Sequence, residues 1–493
     1  MNILLIYPEF PDTFWSFRYA LAFVGKRAAH PPLGLLTVAA MLPPEWSRRL
    51  VDTNVRSLSQ RDLDWADCAF ISAMAVQRES AQRAITRCRE AGLRVVVGGP
   101  LFSDGHEQFQ GVDHFVLNEA ELTLPRFLAD LAQGHPQRVY ASDQFADVQQ
   151  TPPPQWELLD LRRYASMSIQ FSRGCPFNCD FCSVTALLGH RVRAKTAAQV
   201  TAELDRLYAV GWREEIFFVD DNFIGNKEFL RTDLLPALTT WRQGKRGISF
   251  YTEASINLAE DEPLMAQMVA AGFTRVFIGI ETPDETCLTE CRKVQNKNRD
   301  LVADVKRIQR SGLEVQGGFI VGFDHDRPAI FQRQIDFIQK SGIVTAMVGL
   351  LQAPPGTRLY ERLKKEGRLC GETSGDNVDG TTNIQPAMGV EALREGYARI
   401  LRHIYSPKHY YQRLRTYLLN SGPSPRPRSP LRYSDLHALI LSFWRLGTVG
   451  RERFHYWRLL LWTLCRRPRH LHRAVTLAIY GYHFRKMCDR HVA

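Results

Sequence analysis

Strand-like and helix-like runs alternate in two successive series along this chain, and Thr151-Pro152-Pro153-Pro154 separates them. Such alternation predicts parallel sheets covered by helices. In the first series, residues 2–7, 49–52, 68–72, 93–97 and 114–117 read as strands. Helices are predicted over 32–42, 78–91 and 119–131, with one crossover indistinct. The expected unit, residues 1–140, is a flavodoxin-like, doubly wound α/β domain that binds ligands beyond the carboxyl ends of its strands. Residues 141–165 read as a linker.

The second series has strands at 168–171, 215–219, 248–252, 275–280, 314–320 and 345–351. Helices are expected at 197–209, 227–242, 263–271, 299–311 and 329–341. Six βα units over 166–385 are too few to close an eight-fold barrel, so a partial (β/α)6 barrel is expected, its site at the carboxyl ends of the strands. A helical region over 386–420, a Pro/Ser linker over 421–430 and a basic, aromatic-rich helical tail over 431–493 complete the chain. In that tail, 434–446 and 452–465 suit amphipathic helices carrying Trp444, Trp457 and Trp462. Three readings stay open: a helical cap with its aromatics inside, a membrane-surface element, or a grip on an apolar substrate.

With 493 residues, 45% hydrophobic and 23% charged, the chain can build large cores and lacks the profile of disorder. The net charge of +11 is unevenly placed: from Arg402 onward 18 Lys/Arg stand against 3 Asp/Glu, which leaves −4 for everything before. The basicity therefore belongs to the tail and argues for an acidic partner or surface there only. No uncharged apolar run reaches the length of a membrane span, and the first residues lack the basic flank of a signal peptide. A cytoplasmic protein is expected, with peripheral contact at the inner membrane surface through the tail as one reading. Ten scattered cysteines fit a reducing compartment.

Three of the ten are not scattered. Arg173-Gly174-Cys175-Pro176-Phe177-Asn178-Cys179-Asp180-Phe181-Cys182 follows the first strand of the second series as a Cys-x3-Cys-x2-Cys array. Random placement of ten cysteines gives roughly 0.004 such arrays per chain. Three soft thiolates on a short loop suit zinc or iron-sulfur ligation. Zinc wants a fourth protein ligand, for which His190 is the nearest candidate, whereas a 4Fe-4S cluster held by three cysteines keeps one iron open to a ligand. Cys287 and Cys291, four apart on an expected helix, read as structural.

The array resembles the cluster loop of the radical S-adenosylmethionine (SAM) superfamily, with Phe181 as its aromatic. The resemblance implies Cys175, Cys179 and Cys182 as 4Fe-4S ligands, and Phe181 against the adenine of SAM. It implies further SAM or substrate contacts at Asp220 or Asp221, where Val219-Asp220-Asp221-Asn222-Phe223 departs from the common Gly-Gly-Glu form, and at Glu253 and Glu281. Gly318 and Ile320, within Gly317-Gly318-Phe319-Ile320-Val321-Gly322-Phe323, resemble the adenine-contact motif on the fifth strand. Pro355-Gly356-Thr357-Arg358-Leu359-Tyr360 follows the sixth strand as it often does in that family.

A doubly wound domain ahead of this loop resembles the cobalamin-binding domain of cobalamin-dependent radical SAM enzymes, nearest the subgroup that includes hopanoid C-2 methylase. Corrin contacts would then fall at Met74, Ala75, Gly98, Gly99, Pro100 and Asn118. The Asp-x-His-x-x-Gly signature that gives cobalt an imidazole is absent, since Asp113-His114 is not followed by the pattern; a docking scaffold without corrin is the other reading. The resemblance implies methylation of an unactivated carbon of a small or lipid-like substrate, with 4Fe-4S, SAM and cobalamin as cofactors. It also implies an electron donor such as flavodoxin or ferredoxin. Radical cyclisation or rearrangement is an alternative, as is an iron-sulfur RNA-binding or regulatory module, although nothing after residue 430 resembles a named RNA-binding motif.

Overall fold

The computed structural model describes residues 1–103, 105–376, 378–422 and 433–491. Its first sheet is wholly parallel, built from β1 (Asn2–Tyr7), β2 (Ser47–Asp52), β3 (Cys68–Ser72), β4 (Arg94–Gly98), β5 (His114–Val116) and β6 (Val139–Tyr140). The strand order is β2-β1-β3-β4-β5-β6. Ile3, Leu4, Leu5 and Ile6 are all buried rather than alternating, because helices cover both faces of the sheet. Winding reverses between β1 and β3, and the divergent connections leave a crevice at their carboxyl ends. The two-residue β6 was too short to read in the sequence. Helix Gln60–Trp65 fills the indistinct crossover, started by the reciprocal cap of Ser59 and Asp62.

The second half opens with β7 (Met167–Ile169), followed by an antiparallel pair, β8 (Ser172–Arg173) and β9 (Arg193–Ala194). The strands β10 (Glu215–Phe218), β11 (Ser249–Glu253), β12 (Phe273–Glu281), β13 (Glu314–Val321) and β14 (Ala346–Leu350) then add to β7 in chain order, all parallel. β7 and β14 do not pair with each other, so this is a six-stranded open barrel. Along β10 and β11 the outer residues Ile216, Phe218, Phe250 and Thr252 are buried against helices. Phe217, Tyr251 and Glu253 alternate with them and are only half-buried, which leaves the interior hollow.

The connecting segment is packed rather than free. Trp156 is buried, Gln155 N donates to Leu36 O (3.1 Å), and the Tyr164 hydroxyl donates to Asp52 Oδ2 (2.9 Å). Helices Val390–Tyr405 and Pro407–Asn420 follow the barrel. Residues 423–430 of the expected Pro/Ser linker lie outside the described residues. Beyond them come helix Tyr433–Ser442, its π-helical continuation Phe443–Thr448, helix Arg453–Arg466 and a long last helix, Leu471–His491, all within the tail expected to be helical. Among the described residues, no helix is long and apolar enough to cross a membrane.

The last helix caps the molecule. Phe484 stacks on Phe14 with centroids 4.3 Å apart, Arg490 pairs with Asp12, and buried His483 donates from Nε2 to Phe14 O (3.0 Å). Of the tail's aromatics, Tyr456 and Phe484 are buried and Trp462 packs against the core, whereas Trp444 and Trp457 stay exposed. Burial favours the neutral His483 ring and, outweighing the Phe14 carbonyl and Asp12, lowers its pKa from 6.5 to about 4. Its contribution is therefore complete above pH 6.5 and is lost as the pH falls from 6.5 toward 4. His483→Gln should melt below wild type at pH 7.5, and scanning calorimetry should show that gap narrowing by roughly a few degrees at pH 5.

Candidate active site

The cysteine loop hangs between β8 and β9, and its geometry begins at Gly174. That residue has φ +92°, and a Cβ on it would lie 2.6 Å from Arg191 O, so only glycine fits there. Cys175 N donates to Gly189 O (3.3 Å), Cys182 N to Cys179 O (3.2 Å) and Asp180 N to Cys291 O (3.1 Å). From the far side, Leu359 N donates to Asp180 O (2.9 Å), and the Arg358 guanidinium donates to the Asn178 side-chain oxygen (2.7 Å). The Pro355–Tyr360 motif thus buttresses the loop.

The three thiols are free and partly buried. Burial raises the Cys175 thiol and pushes Cys182 up to about 12, the Lys293 charge opposing it in both. Such thiols lose their protons when they bind metal. Asn222 Nδ2 points at Cys175 Sγ from 4.0 Å and Gln295 Nε2 at Cys179 Sγ from 3.7 Å. Among the described residues no three His, Cys, Asp or Glu side chains are grouped tightly enough to hold one ion. Ligands that each take a different corner of a cubane need not converge, and soft sulfurs met by amide donors fit a 4Fe-4S cluster.

Asp220 is fully buried, and burial pushes its carboxyl up to about 7. Both its oxygens are engaged: Phe171 N (3.1 Å), Ser172 N and Ser172 Oγ (2.6 Å) donate to them. Asp220 therefore anchors the strand end that leads into the cysteine loop, which leaves Asp221 as the carboxylate of the pair without such ties. Burial pushes Asp221 up to about 6, and burial with the Asp221 and Asp220 charges pushes Glu253 up to about 8. These acids stand at the carboxyl ends of β10 and β11, where the barrel interior opens.

Glu281 ends β12 at φ +62°, beside a register shift in its pairing with β13. Its Oε1 accepts from Lys293 Nζ (2.6 Å). The Glu281 carboxylate, through its charge and hydrogen bond, outweighs burial and holds Lys293 protonated well above its usual range. Gly279 makes room for that pair: a Cβ there would meet Glu281 Oε1 at 2.3 Å and Lys293 Nζ at 2.7 Å. Lys293 Nζ also lies 6.0 Å from the centre of the Phe181 ring. Phe181 and Ile320 pack on one apolar cluster with Phe323, Leu351 and Leu359. Gly318 accommodates Phe277, whose Cζ would be 2.8 Å from a Cβ at that position. Lys293 and Gln295 belong to no spacing motif, and Asn222, although within the Val219–Phe223 motif, is not marked there as a donor to the sulfurs.

A buried ion-pair network ties this loop to the first domain. Arg173 binds Glu119 (3.0 Å) and Glu121 (2.7 Å), and Arg193 binds Glu119 (2.9 Å). Burial resists ionisation of Glu121, but Arg173 outweighs it and lowers the carboxyl to about 2.

Between the two units lies a cavity of about 1130 Å³, larger than a single small-molecule pocket usually needs. Tyr7, Ser72, Met74 and Pro100 line it from the first sheet, at the crevice beside β1 and β3; Ser168, Phe217, Val219 and Met347 line it from the barrel. Of the expected corrin contacts, Met74 and Pro100 are in this wall, while Ala75, Gly98, Gly99 and Asn118 are not. The glycines serve close backbone approach instead: a Cβ at Gly98 would meet Val116 O at 2.6 Å, and one at Gly99 (φ +92°) would meet Ser72 Oγ at 2.5 Å. Asn118 turns the chain at φ +61° and accepts from Ser142 N (3.4 Å). Ala75 packs against the loop at Gly375.

Residues 169–338 match the radical SAM superfamily, and 357–493 match a domain of unknown function, DUF4070. The chain is 40% identical to an uncharacterized methyltransferase of Synechocystis sp., covering 98% of this chain and 91% of that one. It is 34% identical to hopanoid C-2 methylase of Rhodopseudomonas palustris, covering 94% and 90%. In fold it is similar to the cobalamin-dependent SAM radical enzyme OxsB (TM-score 0.62, 14% identity, 99% of this chain and 79% of that one). It is also similar to the radical SAM methyltransferase TsrM of Kitasatospora setae (TM-score 0.57, 16% identity, 74% and 78%). Likeness sustained over nearly its full length to two such relatives, around a cysteine loop built to carry a cluster, makes this chain a member of the radical SAM methyltransferase family that includes hopanoid C-2 methylase.

Proposed function

We propose that this protein methylates an unactivated carbon of a small or lipid-like substrate, using a 4Fe-4S cluster, SAM and cobalamin. A cavity of about 1130 Å³, walled on one side by the switch point of a doubly wound sheet and on the other by the barrel interior, supports this most directly. That volume takes a large planar cofactor together with a substrate. The hopanoid in the name of the Rhodopseudomonas palustris relative favours an apolar substrate, and the apolar lining of Phe10, Phe14, Trp15 and Phe217 suits one.

When bound, the cluster supplies the electron that splits the SAM sulfonium, and cobalamin carries the methyl group toward the substrate carbon. The chain's own residues do the positioning. Cys175, Cys179 and Cys182 would hold three irons, and Phe181 and Ile320 form an apolar wall beside them. Asp221 and Glu253 offer carboxyl oxygens to the SAM amino or ribose groups. Glu281 fixes Lys293 so that its ammonium faces the sulfurs and offsets their negative charge. Asp220 keeps the loop in register without touching any ligand. An electron donor such as flavodoxin or ferredoxin completes the system.

Anaerobically reconstituted protein given reductant, SAM, cobalamin and an apolar substrate should release S-adenosylhomocysteine and 5'-deoxyadenosine in comparable amounts. Deoxyadenosine alone would mean cyclisation or rearrangement, and neither product, with salt-sensitive RNA retention, would mean a regulatory module. In Cys175→Ala, deoxyadenosine should fall to background while the circular dichroism spectrum is kept. Lys293→Met removes a positive charge facing the sulfurs and leaves Glu281 unpaired. EPR-monitored redox titration should therefore place its cluster midpoint below wild type by roughly tens of millivolts.

A further inference from the structure

The two tail segments before the last helix present apolar side chains to solvent on one continuous face. On residues 433–449 these are Leu436, Ile440, Phe443 and Trp444, spaced as neighbours on one helical stripe. On Arg453–Arg466 they are Phe454, Trp457, Leu461 and Leu464, again one stripe, while Tyr456, Leu459, Leu460 and Thr463 face inward and are buried. Phe443 stacks on Trp457 with centroids 5.3 Å apart, which joins the stripes. Exposure reaches 75% at Phe454, 62% at Leu461 and 60% at Trp444. A soluble surface has no use for so many large apolar groups together.

Charge decides what covers them. Arg451, Arg453, Arg458, Arg466 and Arg469 are exposed around the same helices. The acids in this stretch are Asp435 and Glu452, and Glu452 is buried against Arg485. Apolar and aromatic side chains interleaved with arginines, with little acid nearby, match the interface of a bilayer bearing anionic headgroups. A second copy of the chain fits poorly, because a two-fold contact would set this arginine-rich face against itself.

We infer that this face docks the protein on an anionic lipid bilayer, with Trp444, Phe454 and Leu461 inserted at the headgroup level and the arginines against the headgroups. The face adjoins the cavity wall: Arg445 lines the cavity and sits 5.3 Å from the centre of the Phe23 ring, and His437 Nδ1 is 2.9 Å from Phe23 O. Docking would therefore bring the cavity rim close to the lipid. The docking inference stands apart from methyl transfer and is tested without it.

Full-length protein is floated with vesicles of phosphatidylcholine alone or mixed with phosphatidylglycerol. Co-flotation with the mixed vesicles, weakened by salt, is expected, together with quenching of tryptophan emission by brominated lipid. Trp444→Ser/Phe454→Ser/Leu461→Ser should lose roughly tenfold or more in vesicle affinity. Arg451→Glu/Arg453→Glu/Arg458→Glu should lose the preference for phosphatidylglycerol. Both variants should keep the wild-type circular dichroism spectrum and cluster content. Failure to bind either vesicle, or binding that survives both substitution sets, would overturn the inference. So would a dimer in light scattering that the apolar substitutions split while vesicles are ignored.

Discussion

The buried ion-pair network of Arg173 and Arg193 with Glu119 and Glu121 is the constraint on which the arrangement of this protein depends. The arginines sit on the two short strands that bracket the cysteine loop, and the acids stand at the start of a helix of the first domain. All four side chains are at least 85% buried. Removing one partner of such a network costs about 3–5 kcal/mol, because it strands a charge out of water. The loop that carries the cysteines is thereby fixed not only to its own barrel but to the first domain. A tilt of one unit against the other would break these bonds.

Around that joint the structure assigns rigid and hollow parts differently. The outer faces of the barrel strands are packed against helices, whereas their inner faces stay half-exposed where Phe217, Tyr251 and Glu253 meet the interior. Positive φ angles at Gly174 and Glu281 fall where the chain leaves β8 and ends β12, next to the cysteines and to Lys293. The last helix closes the ensemble by anchoring Phe484 and His483 on Phe14, so that the two ends of the chain stabilise each other.

The βα rhythm made both sheets readable, since contiguous buried runs such as Ile3–Ile6 and helices such as Ala197–Ala209 and Ala329–Ser341 obey local periodicity. The cysteine array was readable because its spacing is rare. Contacts set by tertiary geometry were not. Asp220 and Asp221 are adjacent in sequence, yet one anchors backbone amides and the other stays open, a difference that depends on where β7 and β10 end. Gly98 and Gly99 suggested ligand approach, whereas their missing side chains serve Val116 and Ser72. Lys293 meets its partners only after β12 and the following helix fold back, and the last helix mixes Arg, His and aromatics without a clear polar face.

The proposed methyl transfer needs a cluster on the cysteine loop and a corrin against the first sheet, both within reach of one substrate. Pulsed EPR on anaerobic protein loaded with cob(II)alamin and a one-electron-reduced cluster tests it directly. Spin-spin coupling between cobalt and cluster, abolished in Cys175→Ala, is expected. Two independent, uncoupled spectra from fully loaded protein would contradict it.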